Sequence, residues 1–170
     1  MLIYESDPAL HIKTYLYKIE TPAGKYMIHL EEYIRDTYVI KFYPTRFKKY
    51  PNKFQLFSND NVMQGVVSTA LKIFVQHLAR RPNASLGFIA SASIIGSAKE
   101  DQANNQRFRI YKQVMENLFG SGIFTHFSDM SNSAYLMVNK ANDISEYVNV
   151  MQGVFSQLYP DMFNLNFSEV

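Results

Sequence analysis

Leu86-Gly87-Phe88-Ile89-Ala90 is a continuous apolar run, followed by the small-residue stretch Ser91-Ala92-Ser93 and then Gly96-Ser97-Ala98. A polar approach, Lys99-Glu100-Asp101-Gln102, leads into a segment bearing Asn104, Asn105, Arg107, Arg109 and Tyr111 that closes at Phe119. A short apolar run without alternation reads as a strand buried on both faces. Buried strand, small-residue loop and polar helix start form the layout in which mixed α and β folds present ligands, beyond the carboxyl end of a strand. An interior strand demands neighbours on both sides, and the flanking sequence supplies them.

Upstream, residues 11–21 alternate, with Ile12, Thr14 and Leu16 on one side and Lys13, Tyr15, Tyr17 and Ile19 on the other. A period of two in β-branched and aromatic residues predicts a strand. Thr21-Pro22-Ala23-Gly24 supplies turn chemistry, and strands follow over about 25–34 and 37–43. Pro44 and Pro51 bracket a loop, and Lys53 to Phe57 reads as a fourth, edge strand. Ser58-Asn59-Asp60 offers capping oxygens ahead of apolar residues at helical spacing from Val62 to Leu78, and Pro82 ends that helix.

Downstream, the second helix is predicted over about 102–119, and Ile123–Phe127 and Ala134–Asn139 read as short strands. Asp143 with Glu146 forms a capping box for a third helix running to Leu158. The expectation is a single α+β domain spanning residues 1–170. An antiparallel strand meander is followed by helix-strand-helix-strand-strand-helix, in one sheet with helices mainly on one face.

Bulk properties narrow the function classes. A chain of 170 residues can bury a sizeable core without staples, and it contains no cysteine, which excludes disulfides, thiolate metal sites and cysteine nucleophiles. Met1 to Pro8 lack a basic segment leading into an apolar one, and no run approaches the ~18 apolar residues of a membrane span. The expectation is a soluble, cytoplasmic protein with no membrane partner. Net charge is only +2, but residues 1–85 hold 12 Lys and Arg against 7 Asp and Glu, while residues 86–170 hold 5 against 8.

Candidate chemistry is sparse. The four histidines, His11, His29, His77 and His126, stand at no metal-ligand spacing, so no metal is predicted. Ser91 and Ser93 follow the buried strand where a nucleophile could sit, but the tight Gly-x-Ser-x-Gly elbow is missing. Phosphate-loop and dinucleotide glycine patterns are absent, and no cofactor is predicted.

The polar stretch 99–112 is the best candidate for a ligand. Asn104, Asn105, Arg107 and Arg109 cluster at a predicted helix start, where free amides and the dipole favour an anion. Tyr111 follows Arg107 by four residues and shares its helix face. The competing reading is a solvated helix face, with Glu100 and Asp101 serving the helix dipole. The run Arg46-Phe47-Lys48-Lys49-Tyr50-Pro51-Asn52-Lys53 interleaves bases with aromatics, as single-strand nucleic-acid surfaces do. It is short and has no accompanying signature, so a solvated loop outweighs nucleic acid there.

Tyr and Phe make up 15% of the chain, and Tyr15, Tyr17, Met27, Tyr38 and Phe42 fall on both faces of the meander. An uncovered aromatic face would be an association surface. The leading expectation is therefore a non-enzymatic interaction or oligomerisation module, pairing with itself or with a protein partner. The alternative is a binder or hydrolase of a phosphorylated small ligand at the loop-helix region 91–112. A second alternative is weak nucleic-acid binding through Arg46, Lys48, Lys49 and Lys53.

Overall fold

The computed structural model describes residues 10–56, 58–162 and 164–170. In chain order the elements are β1 (His11–Thr21), β2 (Gly24–Tyr33), β3 (Thr37–Pro44), α1 (Met63–Leu78), β4 (Ser85–Ile89), β5 (Ile94–Ile95) and β6 (Ala98–Lys99). After these come α2 (Gln106–Leu118), β7 (Phe124–Asp129), β8 (Ala134–Asn139), α3 (Ile144–Leu158) and β9 (Ser168–Glu169). Seven strands form one mixed sheet in the order β1-β2-β3-β4-β8-β7-β9, and β5 and β6 make a separate small hairpin. This is an α+β fold.

The meander is built as its residue pattern dictates. Tyr26, Ile28 and Leu30 alternate into the core at 1% exposure or less, while Lys25 is exposed and Met27, His29 and Glu31 are half-buried. At the first hairpin Gly24 takes φ +117°, which an L side chain rarely adopts. Thr21 Oγ1 accepts from the amide of Ala23 and donates to the carbonyl of Gly24 at 2.8 Å, closing the turn.

The buried run Leu86–Ile89 lies at the centre of the sheet. β4 pairs parallel with β3 over Thr37–Val39 and antiparallel with β8 over Leu86–Ile89. Because both its faces are covered, it needs no polar alternation. On one face α1 and α2 pack Val67, Leu71, Phe74, Phe108 and Met115 against Ile28, Leu30, Leu86 and Phe88. α3 takes the opposite face, where Tyr147, Met151 and Phe155 meet Val39, Leu136 and Val138. Two of the three helices therefore share a face. The third goes to the other because β8 is buried on both sides (all six of its residues are buried) and needs a second cover.

Three local expectations change. Lys53 to Phe57 does not form a fourth strand among the described residues. Residues 51–55 are turns, and Leu56 makes one isolated parallel bridge to Ile94; Phe57 lies outside the described residues. The carbonyls of Phe54, Gln55 and Leu56 all accept from the guanidinium of Arg107, and that of Gln55 also accepts from the amide of Ile94 at 3.1 Å. The second helix begins at Gln106 rather than near 102, because Asn104 takes left-handed backbone and the extended Asn105 caps the helix, accepting from the amide of Phe108. α1 begins at Met63 with Val62 at its N-cap, and no side chain caps it. Asp60, read as a capping residue, accepts instead from Tyr26 and Arg46.

The aromatics of the meander are mostly covered. Tyr15, Tyr17 and Phe42 pack against the α1–α2 core, as does buried Tyr38. No helix is long and apolar enough to cross a membrane among the described residues.

Candidate functional site

Seating Arg107 on the 54–56 carbonyls draws the loop after β3 against the start of α2. Between them lies a cleft of about 220 Å³, open to solvent. One wall is the approach to α1, with Ser58, Asn59, Asp60, Asn61, Met63 and Gln64; the other is Ser93, Gln106, Arg107 and Ile110. Asn59 and Asn61 both adopt left-handed backbone, φ +51° and +52°. Asn tolerates that region better than most residues, which lets the chain turn twice before the helix begins.

Two of the residues that line this cleft carry an unsatisfied polar atom. Among the described residues the hydroxyl of Ser93, on a residue 3% exposed, and Nε of Arg107 are buried without a hydrogen-bond partner. A buried polar atom left unpaired costs on the order of 1–3 kcal/mol, so each such atom in a native fold asks for an explanation. No carboxylate forms an ion pair with Arg107 among the described residues, and its positive charge meets only carbonyl dipoles.

The helix above the cleft adds a third donor group. Among the described residues α1 has no capping side chain, and it has no acid in its first turn. The amides of Met63, Gln64 and Gly65 are therefore unpaired within the helix and carry the positive end of its dipole. The other two helices are finished differently. Asn105 Oδ1 accepts from the amide of Phe108 at 2.9 Å, and Asp143 Oδ1 accepts from that of Glu146 at 3.0 Å.

Among the described residues Asp60 is the acid that lines the cleft, and it is already engaged. Arg46 reaches both of its oxygens, at 2.8 and 2.9 Å, and Tyr26 donates to Oδ2 at 2.6 Å. Burial pushes the Asp60 carboxyl up, but these donors outweigh it and hold the group below its ordinary value. Burial and the same carboxylate push the Tyr26 hydroxyl up to about 12.

The residues singled out in the sequence separate on this geometry. Ser93 and Arg107 line the cleft. Ser91 is half-buried and outside its lining. Asn105 is built into the core, donating from Nδ2 to the carbonyl of Ala90 at 2.6 Å while it caps α2. Asn104 adopts φ +45° and donates its amide to the carbonyl of Met130. Arg109 is exposed and turns back to the carbonyl of Asn104. Tyr111 packs against Phe42 and Phe88, with its hydroxyl 3.8 Å from the sulfur of Met63. The start of α2 is occupied by protein: Glu100 accepts from the amide of Gln106 at 2.7 Å and from that of Ser93 at 3.2 Å.

The basic loop also divides. Arg46 binds Asp60 and the carbonyl of Ser58, so it borders the cleft. Lys53 lies over the rings of Tyr43 and Phe54, and Lys48 and Lys49 are exposed. The loop and the start of α2 therefore meet at one place. Ser58 to Gln64 carried a signal in the sequence, a cluster of Ser, Asn and Asp, but helix capping accounted for it fully. Among the described residues no three of His, Asp and Glu gather as metal ligands.

Comparison of the chain with protein-family models, with curated proteins and with solved structures finds no match.

Proposed function

We propose that the cleft between the α1 approach and α2 binds a small ligand through an anionic oxygen, of a phosphate or a carboxylate. The observation that carries this reading is the buried, partnerless hydroxyl of Ser93, on the wall opposite an uncapped helix start. Among the described residues the Ser93 hydroxyl and Nε of Arg107 lack an acceptor, no side chain caps the first amides of α1, and Asp60 is neutralised by Arg46. An oxyanion supplies several acceptor lone pairs at once, and charge-assisted bonds to it are about twice as strong as neutral ones. The dipole of a 16-residue helix adds to the attraction.

The reading keeps the phosphorylated-ligand alternative and moves its centre from α2 to α1. Arg107 takes part through one N–H and its charge rather than through a two-toothed fork, since its terminal nitrogens hold residues 54–56. The proposal is one of binding, with no reaction assigned.

The test is thermal unfolding with inorganic phosphate, pyrophosphate and citrate. A ligand at about 100 times its Kd adds about 2.7 kcal/mol. Gln64→Glu puts a carboxylate in the first turn of α1, where it is expected to stabilise the free protein by about 0.3–1 kcal/mol. The same change should remove the anion response, as should Ser93→Ala. Anions that leave the wild type unmoved, or that stabilise Gln64→Glu equally, would overturn the reading.

A further inference from the structure

β1 is the longest strand and forms one edge of the sheet, pairing with β2 alone among the described residues. At the other edge β9 is two residues long. An edge of eleven residues presents a row of backbone donors and acceptors that proteins ordinarily shorten, bend or cover. Here it also carries apolar side chains: Ile12 and Leu16 are each 60% exposed, among the most exposed large hydrophobics of the chain. Tyr15, Tyr17 and Ile19 face inward against the α1–α2 core.

We infer that β1 pairs antiparallel with β1 of a second copy, about a two-fold axis at Leu16, so that one sheet runs through both. Leu16 is the midpoint of His11–Thr21, and centring the pair there overlaps Lys13–Ile19, the regular stretch beyond the bulge between His11 and Lys13. In that register Leu16 faces Leu16 of the second copy, Tyr15 faces Tyr17, Lys13 faces Ile19 and Lys18 faces Thr14. No two like charges are opposed. Sliding the centre to Lys13 or Lys18 would set lysine against lysine, which costs rather than stabilises. A two-fold axis normal to the sheet also keeps Tyr15, Tyr17 and Ile19 of both copies on the helix-covered side, as the side-chain period of two requires. The self-complementarity of β1 singles out a second copy as its occupant.

The absence of cysteine makes the test clean. Leu16→Cys introduces one thiol, on a side chain whose exposure leaves the core untouched. Across the axis the two Cα atoms would lie about 4.5–5.5 Å apart, within what a disulfide spans. Mild oxidation is expected to give a covalent dimer of Leu16→Cys and none of Leu118→Cys, whose parent residue is 52% exposed on α2. Analytical ultracentrifugation should give a dimer for the wild type and a monomer for Leu16→Arg. A monomeric wild type overturns the inference and leaves the edge to a strand from another protein. A dimer that survives Leu16→Arg, or Leu16→Cys that cross-links no faster than Leu118→Cys, overturns it in favour of another surface.

Discussion

The ring of Phe155 rests on Gly87: a Cβ placed on that glycine would lie 2.6 Å from Phe155 Cζ. α3 crosses the sheet at its central strand, and the missing side chain there lets the helix come close. Gly87→Ala should therefore destabilise the protein by about 1–3 kcal/mol, as overpacking of a filled core does. Phe155→Leu should cost stability alone yet partly rescue Gly87→Ala. Chemical denaturation of the two single variants and the double variant measures that coupling, and strictly additive losses would refute the contact.

Asn105 does two jobs from a residue 1% exposed, capping α2 through Oδ1 and holding the carbonyl of Ala90 through Nδ2. Asn105→Asp keeps the cap and removes the donor, whereas Asn105→Ala removes both. Losing a cap costs about 1 kcal/mol, and the Ala90 carbonyl keeps its second bond, from Gln102, in either variant. Asn105→Asp should nonetheless be the less stable of the two at neutral pH, because it buries a carboxylate whose oxygen replaces the donor 2.6 Å from the Ala90 carbonyl, with both below wild type in thermal unfolding.

Asp60 joins the α1 approach to β2 and to the loop after β3. Its carboxyl titrates below the ordinary value in the folded chain because the bonds from Arg46 and Tyr26 outweigh the effect of burial. The stabilisation is fully present above the unfolded value of about 3.9 and is lost as pH falls through the folded one. Asp60→Asn should lower the denaturation midpoint at pH 7 and flatten the acid limb of the stability curve. An unchanged acid limb would show that the pair contributes nothing.

His29 and His77 point the same way. His77 packs against Tyr15 at 4.4 Å and Tyr38 at 5.4 Å, and burial holds its pKa down, helped by Arg80 and Lys13 and opposed by Glu32. His29 lies between Tyr43 and Phe54, and burial lowers it too, with Lys53 and Lys41 adding to the effect and Glu31 resisting it. For a base with a depressed pKa the unfolded chain binds the proton first. Stability is whole above about 6.5 and declines as pH falls below it. Thermal unfolding across that range should show the decline, and His29→Gln with His77→Gln should reduce its slope.

Much of the scaffold could be read from residue order. The alternation of Tyr26, Ile28 and Leu30, the unbroken run from Leu86 and the Asp143 cap each follow from one local rule and reappear in place. What escaped depends on contacts between distant segments. Arg107 reaches residues more than fifty positions away, and nothing near Phe54 announces that its carbonyl will be taken. The same holds for the cleft: Ser93 and Arg107 were visible as candidates, but Asn59, Asn61 and Gln64 join them only once α1 has crossed from β3 to β4. Glu100 filled the predicted anion site at α2 because the hairpin Ile94–Lys99 brings it there.

The central position of β4 also bears on how the chain assembles. β1, β2 and β3 can join through short connections, and so can β7 and β8, so each group needs only local contacts. β4 links them, pairing with β3 across the whole of α1 and with β8 across the whole of α2. Closure of such distant pairs is the slow part of folding, and until it happens β3 and β8 both present bare edges. Pulse-labelled hydrogen exchange should protect the amides of the two outer groups before those of Leu86 to Ile89. The chain is then most prone to join with other chains just before its middle strand is seated.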